Sequence, residues 1–218
     1  MKYIFLSIYL ILHPFSNSIA RSDFEYKILN ENDYVKMPWV NGKGVTYEIA
    51  RGNFYNSKTW DWRVSRAEVT EDNEFSLFPE VDRKITVLNG EGIELSFPNK
   101  TKILLNNQRI YSFQGENAPT SKLIGNNVQD FNVMTRRGIA ESNLQNLENN
   151  FKPKLEEINL FYIISDKCNF IITQKSPQNL FKKITLDKNN TLIIGDKYEL
   201  QIGSKCKGLF TSINKVKE

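Results

Sequence analysis

The chain has 218 residues, 40% of them hydrophobic and 25% charged, with a formal net charge of +4. That composition belongs to a globular protein and excludes a disordered one. Its 29 basic and 25 acidic residues are interspersed, so no basic stripe exists to track phosphates and nucleic-acid binding is not expected. The single histidine, His13, lies in an apolar N-terminal stretch. The remaining chain therefore lacks the imidazole of a Ser-His-Asp or Cys-His nucleophile and the imidazoles on which zinc and non-haem iron sites normally depend.

Met1-Lys2 supplies a positive start, residues 3–12 are almost unbroken apolar, and Ser18 and Ala20 stand at the minus-three and minus-one positions of a cleavage site after residue 20. This is the pattern of a secretory signal peptide over residues 1–20, with a translated upstream extension as the alternative. The run is shorter than the about 20 apolar residues a span needs, so no membrane anchor is expected after cleavage. Export would place the protein in the periplasm or outside the cell. Cys168 and Cys206 lie 38 positions apart with no C-x-x-C pair, which supports no metal site. They form one disulfide if the protein is exported and two buried thiols if it is not; two thiols are the favoured expectation.

From Val45 the dominant period is two, beginning with Val45-Thr46-Tyr47-Glu48-Ile49 and continuing through 60–69, which predicts strands. Further strands are predicted at 84–88, 92–97, 101–105, 108–113, 131–135, 160–164, 169–173, 183–186, 191–194, 198–202 and 208–212, most of them bounded by Gly, Asn, Asp or Pro. Short, punctuated strands of this kind build a sandwich or a barrel. Residues 141–150, with Leu144 and Leu147 as their only apolar anchors, read as a polar linker holding at most a turn of helix. The stretches 84–97 and 185–202 share one strand-turn-strand grammar, which suggests two β units related by duplication.

Met37-Pro38-Trp39-Val40-Asn41-Gly42-Lys43-Gly44 precedes the first clear strand, and its glycines permit a tight turn and close approach to a ligand. A strand follows it, so it is not a helix-opening phosphate loop. In that strand Thr46 and Glu48 share a face, either the wet side of an edge strand or the wall of a site. Within 60–69, Trp60, Trp62, Val64, Arg66 and Glu68 alternate with Asp61, Arg63, Ser65, Ala67 and Val69. A barrel strand that packs Trp62 and Val64 outward on a second sheet turns Arg63 and Ser65 into the barrel mouth, where a guanidinium suits a carboxylate. Alternatively, Arg63 pairs with an acidic neighbour such as Glu48 in a structural salt bridge. Asp130, Asn132, Met134 and Arg136 share a face of 130–138, and Asp and Asn are poor strand formers. They have a hydrogen-bonding role or they flank a frayed strand start. Arg136-Arg137, without interleaved aromatics, reads as a solvated rim.

Taken in order, M-P-W-V-N-G-K-G-V-T-Y-E-I-A at 37–50, W-D-W-R-V-S-R-A-E-V at 60–69, F-S-L-F-P-E-V-D-R at 75–83, L-N-G-E-G-I-E-L at 88–95 and D-F-N-V-M-T-R-R-G at 130–138 resemble the HutD/Ves family. The resemblance is strongest over 24–138. Against the family pattern W-K-N-G-G-G-T-T-R-E the chain differs at Val40, Lys43, Val45 and Tyr47. Asn41, Thr46, Glu48, Arg63, Ser65, Phe75, Ser76, Asp82, Arg83, Asp130 and Asn132 match. The resemblance implies an all-β, bicupin-like fold of two β-barrel (double-stranded β-helix) units, which we place at 24–127 and 128–218. It further implies a cytoplasmic setting, a link to bacterial histidine utilisation, and a metabolite-binding regulator with formylglutamate as a suggested ligand, and it attaches no reaction.

The reading that results is a small-molecule-binding protein, free of metal and cofactor, whose ligand is a small carboxylate held by Trp39, Asn41, Thr46, Glu48, Arg63, Ser65, Ser76, Asp130 and Asn132. No catalytic residue is assigned. One alternative is a metal-independent isomerase or lyase on a small acid, with Glu48 or Asp130 as general base if burial raises its pKa. The other is a structural or partner-binding β protein.

Overall fold

The computed structural model describes residues 25–55, 59–106, 109–148, 151–175 and 180–217, so the predicted leader at 1–20 lies outside the described residues. The first half contains β1 (Tyr26–Leu29), a 3-10 turn (Glu31–Asp33), β2 (Val35–Pro38), β3 (Gly44–Gly52), β4 (Trp62–Val69), β5 (Asn73–Glu74), β6 (Val81–Asn89), β7 (Gly92–Phe97), β8 (Lys100–Leu105), β9 (Tyr111–Gln114) and β10 (Thr120–Ile124). The second half contains β11 (Val128–Arg136), β12 (Ala140–Leu147), β13 (Ile158–Ile163), β14 (Lys167–Gln174), β15 (Phe181–Asp187), β16 (Thr191–Ile194), β17 (Tyr198–Ile202) and β18 (Gly208–Lys215).

These strands form four antiparallel sheets, ordered β2-β3-β4-β11-β6-β9, β5-β10-β7-β8, β1-β16-β13-β18-β12 and β15-β14-β17. Because side chains alternate along a strand, each large sheet has two chemically separate faces. One face of the six-stranded sheet sends Ile85, Val87, Phe113 and Val128 against Ile93, Leu95 and Leu104 of the four-stranded sheet, closing the first barrel. The five-stranded sheet closes the second barrel by packing Phe161, Ile163, Leu192 and Phe210 against Phe170, Ile172 and Leu186 of the three-stranded one. The outer faces of the two large sheets meet each other. Trp62, Val64, Phe131 and Val133 pack there against Leu144, Leu160, Tyr162, Leu209 and Ile213. The expected outward packing of Trp62 and Val64 is thus observed, and with it the inward aim of Arg63 and Ser65.

The structure corrects several expectations. Residues 140–147 form strand β12 rather than a polar linker, because they pair along their whole length with β18. That pairing, together with Leu144 buried between the barrels and Leu147 in the second core, overrides weak intrinsic propensity. Sheet membership also departs from chain order. β11 hydrogen-bonds between β4 and β6 in the first barrel, whereas β1 pairs with β16 in the second. The division between the barrels therefore follows β11 instead of preceding it at 127/128. Cys168 and Cys206 are joined in a disulfide with Cα atoms 4.8 Å apart, which overturns the expectation of two thiols. Their separation along the chain carried no sign of this; β14 and the turn before β18 bring them together inside the second core. Arg136 and Arg137 lie at an exposed rim, as expected, where Arg137 bonds Asp82 and Glu116 and Arg136 donates to Thr59 at 2.7 Å.

Candidate functional site

The inward faces of β3, β4, β11 and β6 form the floor of a cavity of about 540 Å³ in the first barrel. Register arranges this floor in three rows across the strands. Arg63, Met134 and Arg83 are directly opposed in one row, Glu48, Ser65 and Asn132 in the next, and Thr46, Ala67 and Asp130 in the third. Two further segments supply the walls: the β2–β3 hairpin, with Met37, Trp39 and Val40, and the chain after β5, with Phe75, Ser76 and Phe78.

The hairpin wall is held by local chemistry. Gly42 takes a φ of +71°, the left-handed conformation that glycine adopts without strain. Asn41 Oδ1 accepts the Lys43 amide at 3.1 Å, and Asn41 Nδ2 donates to Asn73 Oδ1 at 2.8 Å. A Cβ at Gly44 would stand 2.5 Å from the Glu68 carbonyl and 2.9 Å from the Trp39 ring, so only glycine lets the indole lie against the strand. Trp39 Nε1 donates to Thr46 Oγ1 at 2.8 Å, which uses the one polar atom of the indole and leaves an apolar surface.

Two arginines meet the cavity in different states. Arg63 donates through Nε to Glu48 Oε2 at 2.7 Å, and the same carboxylate lies 3.4 Å from exposed Arg51. The salt bridge and the inward aim of Arg63 therefore coexist, because only one edge of the guanidinium serves Glu48. Arg83 is 4% exposed, and its acceptors among the described residues are neutral: Asn132 Oδ1, at 3.0 and 3.3 Å, and the Ser76 carbonyl at 3.4 Å. The rings of Phe75, Phe113 and Phe78 surround it at 5.0, 5.0 and 5.6 Å. Burial lowers the pKa of Arg83 to about 10, which leaves it a cation at neutral pH. Asn132 passes the contact on, donating from Nδ2 to Asp130 Oδ1 at 3.3 Å. Burial pushes the Asp130 carboxyl up to about 6, against the opposing pull of Asn132 and Arg83.

Of the residues singled out from the sequence, Trp39, Asn41, Thr46, Arg63, Ser65, Ser76, Asp130 and Asn132 line this one cavity. Glu48 stands behind it as the partner of Arg63. β3 is not an edge strand, because β2 covers it. Sequence reasoning did not place Arg83 among the ligand residues, since the strand predicted at 84–88 in fact begins at Val81. Extending the alternation back from Ile85 would have found it. The aromatic wall of Phe75 and Phe78 comes from irregular chain, where periodicity carries no signal. Among the described residues no group of three His, Cys, Asp or Glu side chains could hold a metal ion.

Fold and cavity together define a cupin-like, double-barrel β protein with a charged cavity in its first barrel. Residues 31–210 match the HutD family, and the chain belongs to it. It is 36% identical over 110 residues, half of its length, to an uncharacterized 21.2 kDa protein in the hutC 3' region of Pseudomonas putida, and that alignment spans 58% of the relative. It is 30% identical over 137 residues to protein Ves of Cronobacter sakazakii, covering 61% of this chain and 75% of that one. The structure is similar to HutD from Pseudomonas fluorescens SBW25, with a TM-score of 0.73 and 24% identity over 88% of this chain and all of that one. An oxalate decarboxylase of Lactobacillus farciminis, 7% identical with a TM-score of 0.55 over 85% of each chain, shares the fold.

Proposed function

We propose that this protein binds a small carboxylate in the first barrel, in keeping with a regulatory role linked to histidine utilisation. The observation that carries the reading is Arg83, a buried cation whose hydrogen-bond acceptors among the described residues are all neutral. Buried charges are normally paired; Asp130 acts on Arg83 without a direct bond, through Asn132, and an anion entering this cavity supplies a direct partner. Arg63 offers a second guanidinium on the same floor, and Ser65, Asn132 and Ser76 offer neutral hydrogen-bonding groups beside it. The family resemblance makes formylglutamate one member of the panel to test.

Thermal denaturation in the presence of small mono- and dicarboxylates, formylglutamate among them, tests this. A ligand at about 100 times its dissociation constant adds about 2.7 kcal/mol, which raises the Tm of a chain of this size by roughly 5–10 °C. Absence of any shift would leave the structural or partner-binding reading ahead. A second reading, a metal-independent isomerase or lyase on a small acid, is favoured by Asp130, whose raised pKa suits proton transfer near neutrality. Turnover of a stabilising acid, followed by NMR, would promote it. We also propose export to an oxidising compartment, supported by the leader pattern and the Cys168–Cys206 bond. An N-terminus still at Met1 in protein from its host would refute this.

A further inference from the structure

The cavity is not uniformly polar, and its polar and apolar parts lie on different elements. Arg63, Arg83, Asp130 and Asn132 occupy the sheet floor. The walls carry the large apolar groups, Met37 and Trp39 on the hairpin and Phe75 and Phe78 on the facing chain, with Asn41, Asn73, Glu74 and Ser76 beside them. The indole nitrogen is already engaged by Thr46, so the Trp39 wall offers no donor to a polar ligand. At the rim, Val40 is fully exposed on the hairpin and Leu77 is exposed between two lining residues. Isolated exposed apolar residues are ordinary on a protein surface, but Val40 also lines the cavity, next to its apolar wall.

Size and charge narrow the occupant further. A cavity of about 540 Å³ has room for about 18 waters at about 30 Å³ each, far more than a carboxylate group alone displaces. The floor carries two guanidiniums, against which stand the carboxylate of Glu48, bonded to Arg63, and the buried carboxyl of Asp130. On the floor alone the balance lies between zero and one positive charge, and the exposed carboxylate of Glu74, which also lines the cavity, removes any surplus. One anionic group can pair with a guanidinium there, and a second finds no cationic partner.

We propose that the natural ligand is an amphipathic monoacid, whose carboxylate sits on the Arg63–Arg83 floor while an acyl or aryl body lies along Met37, Trp39, Phe75 and Phe78 toward Val40. This rests on the carboxylate reading above and specifies what is attached to the acid. Burial of each methylene against the walls adds to binding, whereas a bare acid leaves those walls wet.

Isothermal titration of the full chain with straight-chain monocarboxylates from acetate to octanoate, the primary alcohols of the same lengths, and formylglutamate tests the inference. The expected result is a dissociation constant that falls about three- to fourfold for each added methylene until the chain reaches the rim, with no measurable binding of the alcohols. Val40→Asp, on an exposed hairpin tip that the fold does not need, should weaken the longest acid by roughly tenfold. Acids that bind with no dependence on length, or formylglutamate binding more tightly than every monoacid, would overturn the amphipathic proposal and leave the carboxylate reading standing. Alcohols that bind as well as acids, or no binding by any compound, would overturn both.

Discussion

The two barrels share an architecture and differ in what fills them. In the second, the inward face of the five-stranded sheet presents Phe161, Ile163, Leu192 and Phe210, and Phe161 lies with ring centroids 4.8 Å from Phe210 and 5.5 Å from Phe170. In the first, the corresponding sheet presents Arg63, Ser65, Asp130, Asn132 and Arg83, and space remains above them. Aromatic side chains interdigitate and close a barrel into a core, whereas charged groups repel apolar packing and keep solvent or ligand beside them. The second barrel thus carries an aromatic core and a disulfide, and the first carries buried charge beside a cavity.

The largest expected effect tests that division directly. Phe161→Ala should cost about 3–5 kcal/mol in denaturant unfolding, because the side chain is fully buried and a void would replace it. Met134→Ala should cost about 2 kcal/mol, near the lower end of such truncations, because that side chain already borders the open cavity. Equal losses would mean that the first barrel is packed as tightly as the second. Reducing Cys168–Cys206 releases a loop with a sequence separation of 38 residues. The chain-entropy argument gives this a cost of about 4 kcal/mol, measured as the shift of the urea midpoint with and without a thiol reductant.

Asp130 gives the next effect, and its sign is set by burial. Its folded pKa of about 6 lies above the ordinary value of 3.8 for an aspartate, so between these values the folded protein holds a proton that the unfolded chain has lost. The stabilisation is fully present below about pH 4 and disappears as the pH rises through 6. The stability of the wild type relative to Asp130→Asn should therefore fall by about 2.4 kcal/mol from pH 4 to pH 7. A flat difference across that range would show that Asp130 is solvated, and the first barrel more open than it looks. The smallest effect concerns Arg63. Arg63→Lys keeps a positive charge near Glu48 but loses the planar fork, so carboxylate affinity should drop by about 1.5–3 kcal/mol with little change in Tm. A large loss of Tm with unchanged affinity would assign Arg63 to structure alone.

Much of this was legible in the chain before any coordinates. The alternation at 60–69 put Arg63 and Ser65 on the face opposite Trp62 and Val64, and the polar residues at 130 and 132 stood out because a strand rarely holds them without a reason. Both inferences needed only the two-residue period of a strand and the chemistry of the side chains. The strands that periodicity missed, β1, β2, β5, β10 and β12, are mostly short or polar, and they exist because a neighbouring strand supplies their hydrogen bonds.

The sequence by itself determined the class of fold, the inward and outward faces of the central strands and the polar residues these strands turn toward the cavity, since these follow from local alternation. Only the tertiary structure decided that Arg83 shares a row with Arg63, that Cys168 reaches Cys206, that β11 belongs to the first barrel and that these arginines border a cavity. Each of those depends on which strands become neighbours, a pairing between residues distant along the chain that no local period encodes.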